Sequence, residues 1–327
     1  MASGIATNRD FVLNGIDQKT DWHKLTVPLG RPLQFSDVPE TTVCPVEFEG
    51  NPLEIDGKKW SVLKSNDGLP LGKPFSGSFS VFDARQGWDW IHEMLAGTDF
   101  MIARHGMLWN RSKWFYAVKL TELQNLCATG EEFILNIANG LDGSLSRGAE
   151  LSHFFAVCWN TVNLSRMMGQ RLFNVKNTKN ATVRMEAQRE EIQKMVGMAR
   201  LFKEAMSQAK NTPCQVQTAR EIYAGAIIPA DTEEITTAAR NTVDGLVSLF
   251  QRGDGNRGET VADVLNGFTQ WGTRGFETTK KDTFTRIESS EFGGMADKKA
   301  EFARNVFDAE KRESLRDTGA KLLAMAN

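Results

Sequence analysis

The chain is short of the residues that usually announce a chemistry. Its 327 residues include only four histidines, four cysteines and two tyrosines. His23, His92, His105 and His153 stand in neither an H-x-x-x-H nor an H-x-E order, which excludes the common metal-hydrolase signatures. Cys44, Cys127, Cys158 and Cys214 are scattered, with no C-x-x-C pair and no zinc spacing, and read as reduced thiols of a cytosolic protein. Cys158 lies in an apolar run and reads as a small buried hydrophobe rather than a nucleophile. Asp142, followed by glycine, reads as turn chemistry rather than a metal ligand. No apolar run approaches the roughly 18 residues that span a bilayer, and MASGIATNRDF lacks the basic-then-apolar order of a signal peptide. RGDGNRG (252–258) lacks the Lys-Ser/Thr of a phosphate-binding P-loop and follows no clear strand, so its glycines read as turn residues between helices. The expectation is a soluble cytoplasmic protein with no catalytic site, no metal and no cofactor.

A hydrophobic fraction of 41% and a charged fraction of 24% are ordinary for a globular chain, and the length is ample for a sizeable core. Five of the nine prolines fall within the first 56 residues, where each removes a backbone donor and fixes φ. Residues 1–57 are therefore read as an extended arm with short edge strands around Cys44–Phe48. It can wrap its own core or reach a neighbouring subunit. Residues 58–180 read as an α+β core. KKWSVLKS and FSGSFSVF have strand character, and Asp83 caps a helix closed by Gly97. DFMIARHG and MLWNRSKWFYAVKL form a hairpin turning near His105–Gly106 or Asn110–Ser112. EEFILNIAN is a further strand, and LSHFFAVCWNTVNLSRMM reads as an apolar helix whose first half could pass for a strand. The predicted class is α+β: an antiparallel sheet with helices packed on one face, followed by a mostly helical C-terminal region at 181–327. Within that region helices are predicted at 181–211, where Pro213 stops the chain, and at 215–228, 231–250, 259–271 and 296–325.

Charge is distributed unevenly. Between Phe100 and Met185 there are ten Lys and Arg against five Asp and Glu, a surplus of five, so the remainder of this chain of net charge −2 carries −7. The first 56 residues hold nine acids and four bases. That asymmetry fits a basic face for a polyanion with an acidic surface elsewhere. The densest part is IARHGMLWNRSKWFYAVKL (102–120), with four Lys or Arg, no acid, and Trp109, Trp114, Phe115 and Tyr116 between them. Single strands are held by cations on phosphates and by aromatic faces on bases, stacking being worth roughly 1–3 kcal/mol per base. Candidate phosphate contacts are Arg104, Arg111, Lys113, Lys119, Arg147, Arg166, Arg171, Lys176 and Lys179, and candidate stacking residues are Trp109 and Tyr116. Strand side chains alternate, so Arg111 and Lys113 face one side while Trp114 faces the other, towards a core.

The combination of SFSVFDARQGWDWIHEMLAG, NIANGLDGS and AVCWNTVNLS with LFQRGDGNRGET resembles a phage- and plasmid-like protein family catalogued as a domain of unknown function. The matching residues are Asp142, Gly143 and Ser144, then Val157, Cys158, Asn160 and Thr161, then Leu249, Phe250, Gly253, Gly255, Asn256, Gly258 and Thr260. The chain departs from the family's pattern at Leu141, Phe155 and Asn177-Thr178, where the family carries His, Arg and His-Thr. The resemblance covers roughly residues 60–300 and implies a phage or mobile-element origin, hence a host bacterial cytoplasm, but no activity. The layout is also similar in outline to phage single-strand annealing proteins. Two expectations follow. One is a homo-oligomeric protein that binds single-stranded DNA, in strand annealing or recombination. The alternative is a protein-interaction factor, for host takeover or anti-defence, that binds no nucleic acid.

Overall fold

A computed structural model describes residues 12–15, 27–66, 68, 70–76, 79–108, 112–127, 131–141, 145–155, 160–169, 173–176, 189–274 and 288–325. They resolve into two compact units whose segments alternate along the chain. The first takes the described parts of Met1–Asn125, Phe133–Leu151 and Arg171–Val196, and the second those of Leu126–Glu132, Ser152–Gln170 and Gly197–Asn327. The class is α+β, as expected, with antiparallel pairing in the sheets apart from one parallel pair at an edge, and helices filling the C-terminal part.

In the first unit the proline-rich stretch forms short strands: β1 (Val12–Gly15), β2 (Val27–Pro28), β3 (Thr41–Pro45), β4 (Glu47–Phe48), β5 (Asn51–Pro52) and β6 (Glu54–Ile55). β3 pairs antiparallel with β7 (Lys58–Ser65), which also pairs with β8 (Pro70–Ser76). The strand expected at FSGSFSVF thus lies earlier, because Phe79 to Phe82 leaves the ladder to meet the sheet described next. Helix α1 (Ala84–Met94) begins where the sequence places it: the Asp83 carboxylate accepts from Gln86 N, and the Gln86 side chain accepts from Asp83 N, a reciprocal cap.

The main sheet of this unit has the order β12–β11–β10–β9–β1–β2, with β14 (Phe173–Val175) beside β12. It uses β9 (Phe100–Leu108), β10 (Lys113–Leu120), β11 (Glu131–Gly140) and β12 (Arg147–Phe155); a single turn of helix, α2 (Thr121–Gln124), follows β10. β9 runs straight through His105 and Gly106, so the hairpin turns between Leu108 and Lys113 and not at His105. β1 lies antiparallel to β9 and parallel to β2.

The second unit contains the end of β12, where Ser152–Phe155 pairs with β13 (Asn160–Asn163), and the one-turn helix α3 (Leu164–Met167). LSHFF and NTVN are therefore strand, and among the described residues of this run only LSRM is helical. A strand buried on both faces shows a continuous apolar run, which periodicity cannot distinguish from a buried helix. The helices are α4 (Arg189–Asn211), which belongs to this unit from Gly197, α5 (Val216–Ile227), α6 (Thr237–Arg252), α7 (Val261–Arg274), α8 (Gly294–Phe307) and α9 (Ala309–Met325). The expected helix 296–325 is two helices, because Asp308 leaves helical geometry and its carboxylate caps the next one through Glu310 N and Lys311 N. Phe268 and Phe302 stack at 3.9 Å in the core of this unit. α5 and α9 approach backbone to backbone at Gly225 and Gly319: a Cβ on Gly319 would lie 1.8 Å from the Glu221 carbonyl oxygen.

Candidate nucleic-acid interface

The register of β9, β10 and β11 sorts the basic-aromatic stretch onto two faces. Residues directly opposite across a strand pair share a face. Trp114 pairs with Met107 and Asn139, and Tyr116 with His105 and Ile137. These face α1. Trp114 Nε1 and Asn139 Nδ2 both donate to the Phe82 carbonyl, at 2.9 and 2.7 Å, and Tyr116 OH donates to the Ala84 carbonyl at 2.7 Å. His105 packs against the Tyr116 ring, centroids 4.8 Å apart, and burial lowers its pKa to about 3, so the ring is neutral. The alternation expected for Trp114 is observed. It also carries Tyr116 inward: the ring is wholly buried and presents no surface to a base.

The opposite face carries the cations. Lys113, Phe115, Ala117 and Lys119 alternate with the buried set along β10, and Arg104 lies opposite Ala117. Gly106, Ala138 and Asn136 occupy the neighbouring positions of β9 and β11 on this face. Arg104, Lys113 and Lys119 are all partly exposed, whereas Phe115 and Ala117 are buried. From Lys113 to Lys119 the strand covers ~20 Å. By the same alternation Glu132 of β11 and Glu150 of β12 share the face, two carboxylates against three cations among the described residues.

The other predicted contacts separate. Arg147 is buried on the α1 side: Nη2 donates to the Ser80 carbonyl at 2.9 Å, the guanidinium lies 4.2 Å above the Phe82 ring, and burial lowers its pKa to about 10. It fastens the segment before α1 to the sheet. Arg166, in the second unit, is equally occupied, donating to the Gly293 carbonyl and to Asp297 at 3.2 and 2.8 Å. Neither guanidinium is presented to a polyanion. Lys176 is exposed just after β14. Trp109, Arg111, Arg171 and Lys179 lie outside the described residues.

Two polar clusters in the second unit were invisible to sequence reasoning, since each joins segments far apart in the chain. Glu131 receives Lys203, with Lys210 Nζ at 3.5 Å and His153 Nε2 at 3.6 Å. His153 and then Lys203 hold this carboxylate far below its usual range, while burial lowers the pKa of His153. Lys299 is wholly enclosed; its Nζ donates to Ser290 Oγ at 2.9 Å and Thr273 Oγ1 at 3.3 Å, and burial lowers its pKa to about 8. No group of three or more potential metal ligands occurs among the described residues.

The glycine-rich loop after α6 closes on itself. Asp263 accepts from the backbone of Glu259 and Thr260 at 3.0 Å each and from Thr260 Oγ1 at 3.1 Å. Asn256 Nδ2 donates to the Leu249 and Asp263 carbonyls. The loop's own amides are also taken within the chain, Gly253 N by the Leu249 carbonyl, Asp254 N by Gln270 Oε1, Asn256 N by the Gly253 carbonyl and Arg257 N by Asp263, where a phosphate-binding loop would leave them for the ligand.

A family model described as a domain of unknown function (DUF932) matches residues 73–311. The chain belongs to the DUF932 family. The DUF932 match takes in the cationic face of β9 and β10 and the Asp263-closed loop; the hairpins of β3 to β7 precede it. No curated protein and no solved structure matches the chain. Among the described residues of this DUF932 protein no helix is long and apolar enough to cross a membrane.

Proposed function

We propose that this DUF932 protein binds single-stranded nucleic acid along the sheet face formed by Arg104, Lys113 and Lys119, and that it serves strand annealing or recombination in a phage or other mobile element. The observation that supports this reading is the sorting of the strip by register: its cations share one face, with Phe115, Ala117 and Gly106 among them, while its described indole and phenol rings are turned into the core. Arg104, Lys113 and Lys119 are partly exposed beside buried Gly106, Phe115 and Ala117, so a strand would be met by the cationic side chains and not by the sheet backbone. With Tyr116 enclosed, the described part of the face supplies phosphate contacts in preference to stacking. Binding is accordingly governed by ionic strength and depends little on base sequence.

The test is the affinity of the purified protein for a labelled oligonucleotide at two salt concentrations, alongside Arg104→Glu combined with Lys113→Glu. A steep loss with salt and loss of binding in the double variant, with unchanged thermal unfolding, are the expected results. A variant that binds like the parent would remove the site from this face. No mobility shift for the parent at micromolar protein would leave the protein-interaction reading in its place.

A further inference from the structure

The second unit holds a cavity of about 270 Å³ between the C-terminal end of α5, the end of α7 and the faces of α8 and α9. Its aromatic wall is fixed in advance. Trp271 packs on Phe268 with ring centroids 5.4 Å apart, Phe268 stacks on Phe302 at 3.9 Å, and Phe302 stacks on Tyr223 at 6.0 Å. The Tyr223 hydroxyl donates to the Val264 carbonyl at 2.8 Å and ties the far end of this stack to α7. Phe268 and Phe302 are buried and Trp271 is half-buried, so the accessible aromatic surface of the cavity is chiefly the indole. A wall already held in place loses little further freedom when a ligand meets it.

The polar groups of the cavity are, by contrast, unengaged. Lys298, Glu301 and Asn305 stand three and then four residues apart on one face of α8. None of these three side chains makes a hydrogen bond or an ion pair with another described residue. Elsewhere in this unit exposed charges close on one another, Arg220 with Asp244, Arg274 with Asp254 and Arg316 with Asp317. The end of α5 adds acceptors. Ile228 N donates to the Ala224 carbonyl and closes the helix, and Pro229 then has no N–H to give to Gly225. No described residue donates to the carbonyls of Gly225, Ala226 or Ile227, and all three residues line the cavity. The negative end of a helix dipole thus borders it and favours a cation.

The cavity therefore combines a negative pole, at Glu301 and the α5 end, with a positive one at Lys298 and an aromatic wall. A simple cation would leave Lys298 opposed to it, and a simple anion would meet Glu301. A zwitterion satisfies both. The volume lies just below the roughly 300–1,000 Å³ of sites for drug-sized ligands, which suits a smaller molecule.

We propose that this cavity binds a free α-amino acid with an aromatic side chain. Its ammonium is received by Glu301 and the carbonyl end of α5, its carboxylate by Lys298, and its ring by Trp271, while Asn305 can donate to one group or accept from the other. The site uses none of the residues assigned to nucleic acid, so the two readings fail separately. The test is calorimetric titration of the full chain with L-phenylalanine and L-tryptophan. Two analogues run beside them: phenethylamine, which lacks the carboxylate, and hydrocinnamate, which lacks the ammonium. Saturable binding of an amino acid is expected, with both analogues weaker by roughly tenfold or more, the worth of one hydrogen bond to a charged group. Glu301→Gln is expected to weaken the amino acid and phenethylamine by a similar factor, but not hydrocinnamate. Lys298→Met is expected to weaken the amino acid and hydrocinnamate, but not phenethylamine, and both variants keep parental thermal unfolding. No heat from either amino acid at millimolar concentration, or parental affinity in both variants, overturns the proposal. So does an analogue that binds as tightly as the amino acid, because the missing charge then has no partner in the cavity.

Discussion

At the scale of residues, the least ordinary group is Lys299. Its folded pKa of about 8 lies below the ordinary 10.5, so between those values the unfolded chain binds the additional proton and stability rises with pH. The rise from this one group is on the order of 3 kcal/mol across the window. Lys299→Met is expected to lose that rise, which urea midpoints of both proteins at pH 7.5 and pH 10 would show; parallel pH profiles would contradict it. Gly319 tests steric contact instead. A methyl group 1.8 Å from the Glu221 carbonyl forces α5 and α9 apart, so Gly319→Ala is expected to destabilise by at least the ~1–3 kcal/mol typical of overpacking, read as a lower urea midpoint.

At the scale of elements, the Asp263-closed loop makes a further test. Asp263→Ala removes the acceptor for three backbone amides and a hydroxyl ahead of α7, and the expected cost is about 1–2 kcal/mol with no loss of oligonucleotide affinity. A loss of affinity in a folded Asp263→Ala protein would show that the loop serves a ligand. This scale also shows what was legible in the sequence and why. The α1 cap at Asp83 and the stops around α4 and α5 rest on local chemistry, and the structure has them close to where they were read. Alternation separated Lys113 from Trp114 correctly, and carried one step further it would have enclosed Tyr116 too. β12 reads as a helix whose first half could equally be strand, because burial on both faces erases the period of two. The break at Asp308 was missed because helical amphipathicity continues on either side of a capping residue. The Glu131 and Lys299 clusters were beyond reach: their members are close only after folding, and none has a neighbour in sequence that hints at its partner.

At the scale of the molecule, the uneven charge becomes a cationic sheet face in one unit, within the DUF932 segment, and the other unit holds the aromatic-walled cavity. The central claim concerns the sheet face. It is tested most directly by the salt dependence of single-strand binding, measured by fluorescence anisotropy for the parent and for Arg104→Glu, Lys113→Glu, Lys119→Glu protein. Three phosphate contacts give a slope of log affinity against log salt of about −2 for a single strand. The expected result is a slope at least that steep for the parent, and for the triple variant a flatter slope with affinity lost at low salt. Equal slopes and equal affinities in the two folded proteins would contradict the account.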